Sequence, residues 1–256
     1  MTWLAAPLGV LTGAVMGALG GGGAILTIPV LIYLLGFDPH AATTASLVIV
    51  GVSALAAVPA HLRHRTARVG DALVLAIVGV LGTYAGSLAS AAVPSEVLVV
   101  LLGSLLAVVG ALMLRHSPDS GADADPPPLL GSARQLAKVV AVGSGVGLLT
   151  GFFGVGGGFA IVPALTLVLG YPVRLAVGTS LAVITLNSAS AFVSRLGNGV
   201  VLDWGVIALF TIGAVAGSLV GGAIGRRTSA SGLSQSFAVL LFLVAAFMLV
   251  SAVLSR

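Results

Sequence analysis

The sequence predicts an all-α polytopic membrane protein made of two homologous halves, with eight to ten membrane segments and glycine-broken short helices opening each half. Three observations carry this reading: the composition, a doubled pattern of glycine, proline and serine, and the lengths of the apolar runs. Of 256 residues, 58% are hydrophobic and 7% charged, with a mean hydropathy of +1.20, where a typical soluble domain is about 25% charged. Seven acids and eleven Lys plus Arg cannot coat a soluble globule, and a disordered chain needs low hydrophobicity. Both classes are excluded. The pI near 10.4 rests on a net charge of +4, and no basic stretch is interleaved with aromatics, so no nucleic-acid partner is expected. The chain has no cysteine and only four histidines, which leaves no disulfide framework, thiolate nucleophile or Cys-type metal site; no metal or cofactor is expected. The first Lys or Arg is Arg63, so the N-terminal apolar run lacks the charged start of a signal peptide and is expected to stay in the mature protein.

The least apolar stretch, residues 115–138, contains HSPDSGADADPPP. Its Pro, Asp and Gly content opposes helix and offers nothing to bury. It divides the chain into a first transmembrane repeat at 1–115, a polar linker at 116–133 and a second repeat at 134–256. Sliding one half by 134 residues superposes Pro29 on Pro163, Gly36 on Gly170 and Ser46 on Ser180. Gly9, Gly13 and Gly17 then fall on Gly143, Gly147 and Gly151, and residues 20–23 fall on 154–157. A shift of 131 matches Gly82, Gly86 and Ser87 to Gly213, Gly217 and Ser218. An ordered match of this length marks an internal repeat.

Each half reads as five apolar pieces: 4–19, 24–35, 41–60, 72–93 and 97–114, then 136–153, 159–169, 175–193, 204–224 and 237–254. A spanning helix needs about 20 residues, so the last three pieces of each half qualify. The first two are short, yet joined across their glycines they are too long for one straight span; a broken helix or two half-helices is expected, as at transporter binding sites. If each short pair crosses twice, or dips in and returns, Arg63, Arg65, Arg68, Arg115, Arg134, Lys138, Arg174, Arg226 and Arg227 share one side and only Arg195 and Arg256 face the other. The positive-inside rule then puts both termini outside. Basic residues also swap between equivalent loops, as expected of inverted repeats.

The stretches GALGGGGAILTIPVLIYLLGFDPHAATTASL and GFFGVGGGFAIVPALTLVLGYPVRLAVGTSL resemble the doubled glycine-rich motif of the TauE/SafE family, followed in each half by Pro and an AvgTSl-like element. The resemblance covers nearly the whole chain. It implies a bacterial inner-membrane, multi-pass carrier, an exporter of sulfite or an organosulfonate, and leaves the particular anion unspecified.

Physical chemistry points the same way. Irregular backbone at membrane depth is tolerated only where it is buried in protein or lines a wet cavity. The breaks at Gly20, Gly21, Gly22 and Gly23, and at Gly154, Gly156, Gly157 and Gly158, are therefore expected to bind substrate. The helices that follow, from Ala24 and Phe159, would turn free N–H groups and a positive dipole end towards an anion. Close helix packing is the competing reading, and it suits the spaced Gly9, Gly13 and Gly17 and their partners better. Thr44, Ser46, Thr179, Ser180 and Asn187, with Thr43 beside them, could donate hydrogen bonds to sulfonate-like oxygens, or bond back to their own helices. His40 and Arg174 are equivalent, as are His61 and Arg195; snorkelling to headgroups is the favoured role, while Arg174 would also suit an anion site.

All seven acids lie in loops or near span ends, so no carboxylate relay is expected. No Ser-His-Asp set, H-E-x-x-H or phosphate loop appears. The leading expectation is a secondary transporter rather than an enzyme; a membrane scaffold or subunit and an intramembrane enzyme are the alternatives. Its partners would be a small anionic substrate and the lipid bilayer, with homo-oligomerisation left open.

Overall fold

The computed structural model describes residues 2–115, 132–196 and 200–254, and their regular structure is entirely helical. The first half contains α1 (Ala5–Leu19), α2 (Gly22–Pro29) continued by a wider π turn (Val30–Leu34), α3 (Pro39–Arg63), α4 (Val69–Ala91) and α5 (Ser95–Arg115). The second half repeats the series as α6 (Ala133–Phe153), α7 (Gly158–Pro163) with its π turn (Ala164–Val168), α8 (Val173–Arg195), α9 (Trp204–Arg227) and α10 (Ala230–Leu254). Among the described residues seven helices, α3 to α6 and α8 to α10, are long and apolar enough to cross a membrane. The chain is a multi-pass membrane protein.

Six such helices were expected; α6 is the seventh. The Ser132 hydroxyl accepts from the Gln135 N–H at 3.2 Å, which caps the helix and starts it at Ala133, so Arg134 and Lys138 belong to α6 rather than to the polar stretch. The rest of the expected linker, 116–131, lies outside the described residues. The helices after the breaks also begin earlier than expected, at Gly22 and Gly158. Asp38 caps α3, accepting from the N–H groups of His40 at 2.8 Å and Ala41 at 3.4 Å. Asp203 does the same for α9 through Gly205 and Val206. Pro29 and Pro163, which lack an N–H to continue the ladder, each lead into a π turn, and each turn ends at a glycine with φ of +72°, Gly36 or Gly170.

The two halves interlock. α1 lies along α9, running in the same direction: Gly9, Gly13 and Gly17 sit on the carbonyls of Phe210, Ala214 and Ser218, while Gly213, Gly217 and Gly221 sit on those of Ala6, Val10 and Ala14. α6 lies along α4 in the same manner, with Gly147 and Gly151 on the carbonyls of Gly79 and Thr83, and Gly82 and Gly86 on those of Ser144 and Leu148. At each of these positions a Cβ would overlap the facing backbone, so only glycine permits the approach. Between the two pairs α3 and α8 cross in opposite directions, Gly51 facing Ser188 at the centre. They are the most enclosed spans, 61% and 67% buried against 39–44% for the others. α5 packs on α10 at the side. Exchanging the halves turns the α1–α9 contact into α6–α4 and α3–α9 into α8–α4, and leaves α3–α8 and α5–α10 as themselves.

Polarity is arranged for a lipid solvent. Leu81, Ile212 and Leu243 are each more than 60% exposed, whereas Ser46, Ser53, Thr83, Thr179, Ser180 and Ser218 are fully buried. Hydroxyls that would be costly in hydrocarbon are enclosed by protein.

Gly13→Ala should lower the melting temperature of the detergent-solubilised protein, by about 1–3 kcal/mol of overpacking. Gly145, whose added methyl meets nothing within 4 Å, provides the control. Gly145→Ala should be neutral or slightly stabilising, and equal losses in both variants would show that the glycine contacts are not what joins the halves.

Candidate functional site

The glycine breaks meet each other at the centre of the molecule. Gly21 lies against the backbone of Gly158 so closely that neither could carry a side chain. Gly20, with φ of +73°, lies against Ser180 and Val177 of α8; its equivalent Gly154, with φ of +68°, lies against Thr43 of α3 and accepts a hydrogen bond from Ser46. Each break is thus seated on the third helix of the opposite half. Ser46 and Ser180 are both buried and both also bond their own helices, at the carbonyls of Thr43 and Val177. Thr179 accepts from the Arg68 N–H at 3.1 Å and holds the start of α4. Ser46, Thr179 and Ser180 therefore position backbone in this structure, a role not separable from substrate contact by sequence alone.

Asn187 stands apart. It is 1% exposed, and among the described residues neither its amide oxygen nor its nitrogen has a partner. The buried hydroxyls of Ser188, on the next residue, and of Thr83, on α4, are also unpartnered. Ser188 faces Gly156 of the break and Gly51 of α3, while Asn187 faces Gly79 of α4. Unpaired polar groups buried in this way are costly, and a cluster of them beside a helix break is a place where a polar ligand gains most.

Two polar vestibules lie at opposite ends of the α3–α8 crossing. One, of about 150 Å³, is lined by His40, Thr44, Ser87, Ser90, Ala91, Arg195 and Val200. The other, of about 250 Å³, is lined among others by His61, Thr66, Arg174, Gly222 and Arg226. They occupy equivalent places in the two halves, since the shifts of 134 and 131 carry His61 to Arg195, Arg174 to His40, Thr66 to Val200 and Gly222 to Ala91. Each has a histidine and an arginine in exchanged positions, to which the larger adds His64 and Arg226. The tips of α1 and α6 floor them: Gly17 and Ala18 line the larger vestibule, and the carbonyls of Gly151 and Phe152 accept from Arg195 in the smaller.

Arg195 and His61 do not snorkel. They are 5% and 4% exposed. Arg195 Nη1 donates to Thr43 Oγ1 at 2.9 Å and Thr44 Oγ1 at 3.3 Å, and Nη2 donates to the Gly151 and Phe152 carbonyls and to Ser90 Oγ. All of these partners are neutral. The four described acids are elsewhere: Asp38 and Asp203 at helix caps, Glu96 in the first turn of α5, and Asp71 beside Arg68, accepting also from the Tyr171 hydroxyl. Burial, and then that bond to Asp71, raise Tyr171 above the ordinary phenol range, so the hydroxyl remains a donor. Of the residues singled out by sequence, His40, Thr44, His61, Arg174 and Arg195 line the vestibules, Asn187 lies in the unpaired centre, and the two glycine clusters are among neither vestibule's lining residues. Ser90, Arg226 and Ser188 had no signal beyond being polar near a span.

A helical membrane protein with polar vestibules at its two ends, and unpaired donors between them, has the construction of a membrane transporter. The chain belongs to the sulfite exporter TauE/SafE family, whose model matches residues 5–248. It is 34% identical over 244 residues to a probable membrane transporter protein of Xylella fastidiosa, covering 94% of this chain and 92% of the relative. It is 28% identical to the probable membrane transporter protein YunE of Bacillus subtilis, covering 93% of each. A probable membrane transporter protein of Methanocaldococcus jannaschii is 27% identical over 74% of this chain and 72% of its own length. No solved structure matches the chain.

Ser46→Ala leaves the Gly154 carbonyl buried without its donor and should cost about 1–3 kcal/mol. Ser180, which bonds only its own helix among the described residues, should cost clearly less as Ser180→Ala. Thermal melting of both variants in detergent checks the order, and the reverse order would mean that Ser46 does not hold the break.

Proposed function

We propose that the chain is a secondary transporter, and not an enzyme, that exports a small anion such as sulfite or an organosulfonate across the bacterial inner membrane. The single observation that carries this reading is Arg195, a permanent cation buried beside a vestibule and bonded, among the described residues, only to hydroxyls and carbonyls. A buried charge without a counter-charge is expensive, and an arriving anion relieves that cost. The family description and the relatives' names support transport. Residues 1–115 and 134–256 act as inverted repeats joined by the 116–133 linker; the exchange of helix contacts between halves and the opposite directions of α3 and α8 support that reading. The anion passes between the vestibules by way of the glycine breaks and the Asn187 cluster, with the partners that hydroxyl and amide donors give it. Both termini face outward, as the distribution of basic residues favours.

Purified protein in liposomes should carry labelled sulfite or taurine at rates absent from empty vesicles. Arg195→Gln, which removes the charge, should reduce flux or affinity about 10- to 100-fold, in line with about 1.5–3 kcal/mol for a charged hydrogen bond. Arg195→Lys, which keeps the charge but loses the fork, should lie between. Flux unchanged in Arg195→Gln sinks the anion reading of this vestibule. For orientation, the chain's lack of cysteine makes Arg65→Cys a single-thiol variant. That thiol should resist an impermeant reagent in intact cells, and labelling there would reverse the orientation.

A further inference from the structure

The larger vestibule has a feature that the smaller lacks. Where the smaller has Arg195, the larger has His61, whose Nε2 is buried and has no hydrogen-bond partner among the described residues. The Nη1 of Arg226, on α9, is likewise buried and unpartnered. Both lie beside Gly222, where an added methyl would be 3.6 Å from Arg226 Nη1 and 3.9 Å from His61 Nε2, with the Gly17 carbonyl oxygen at 3.7 Å. Arg174 of α8 stands at the rim, donating to the Thr228 carbonyl at 3.0 Å. His64, exposed in the loop after α3, is the other titratable group of the lining; α1 and α10 contribute Gly17, Ala18 and Leu233, and among the described residues no carboxylate lines the cavity. About 250 Å³ is below the roughly 300–1,000 Å³ of pockets for drug-sized ligands and suits a small ion.

Thr66 Oγ1 lies 3.0 Å from His61 Nδ1 and 3.2 Å from the His61 carbonyl; when its one proton goes to the carbonyl, the Thr66 oxygen accepts from Nδ1, the tautomer that leaves Nε2 bare. Nε2 is then a bare lone pair near the Arg226 guanidinium across Gly222, and a neighbouring cation favours a lone pair there over an N–H. A lone pair repels an oxyanion. A proton added at Nε2 turns the same atom into a charged donor close to Arg226 Nη1.

We propose that this vestibule is an oxyanion site filled only together with a proton: an anion of the sulfite or sulfonate class is held by His61 protonated at Nε2, by Arg226 and, at the rim, by Arg174. The substrate class rests on the anion-transport reading; the site and its proton do not. One proton from solvent bonds to Nε2 for each anion bound, and it leaves when the anion leaves. By linkage, the anion and the proton strengthen each other's binding equally. In the smaller vestibule the corresponding cation is Arg195, which holds its proton at all working pH values, so binding there takes up none.

The test uses the full chain in detergent, weakly buffered with an indicator dye, and two probes that do not titrate near neutrality, sulfate and methanesulfonate. Addition of either probe should make the solution alkaline, and affinity should fall about tenfold per pH unit once His61 is neutral. His61→Gln should abolish the proton uptake and weaken binding. His61→Arg, which installs the residue of the other vestibule, should bind without uptake and without pH dependence. The proposal is overturned if neither probe binds, if binding takes up no proton, or if uptake survives His61→Gln, the result expected were His64 the acceptor. Sulfite flux in liposomes is read separately. Flux without proton uptake removes this site and leaves the transport reading intact, whereas binding with uptake but no flux keeps the site and removes transport.

Discussion

Everything in this structure depends on bringing helix backbones into direct contact along four glycine-bearing faces. Lipid tails are as apolar as leucine, so helices in a bilayer gain little from hiding apolar side chains from one another. Close packing must supply the attraction instead, and the α1–α9 and α4–α6 contacts obtain it by removing side chains from both surfaces. Because each contact joins the first helix of one half to the fourth helix of the other, neither half is complete alone. The central crossing of α3 and α8, and with it both vestibules, is held between these two clamps.

The second organising fact is how polar groups are disposed around that crossing. Serines and threonines are spent on the irregular backbone: Ser46 holds the Gly154 carbonyl, Thr179 the start of α4 and Thr66 the turn after α3. What is left unpaired is confined to the centre and the larger vestibule, at Asn187, Ser188, Thr83, His61 and Arg226, apart from one amide nitrogen of Gln135. On the transport reading proposed above, these are the groups whose bonding capacity is left for something that is not part of the chain.

Much of this was legible in the sequence. The duplicated Gly, Pro and Ser positions pointed to the broken helices and to the packing role of the spaced glycines, because each is a local demand on the backbone repeated at a fixed distance. The partners of those glycines were not legible: Gly9 has nothing in its neighbourhood that names Phe210. Arg195 and His61 read as ordinary span-end residues, for the same reason. Hydropathy sees a charge near an interface, whereas the Thr43, Thr44 and Gly151 oxygens that draw Arg195 inward come from helices far away in sequence. The start of α6 was misjudged on composition, since a run of Arg, Gln and Lys looks like linker until Ser132 caps it.

The α1–α9 contact also sets a schedule for synthesis. Gly9 meets Phe210, some 200 residues later in the chain. At about 5–20 residues per second, the first helix leaves the ribosome roughly 10–40 s before the surface it fits has been made. During that interval its bare glycine face has no native partner, and any other helix with a small-residue stripe is a competitor. The second hairpin is spared this wait, because α4 has already been made when α6 emerges. Biogenesis is therefore lopsided although the finished contacts are matched: the first-made hairpin has to be kept unengaged in the bilayer until almost the whole protein is present.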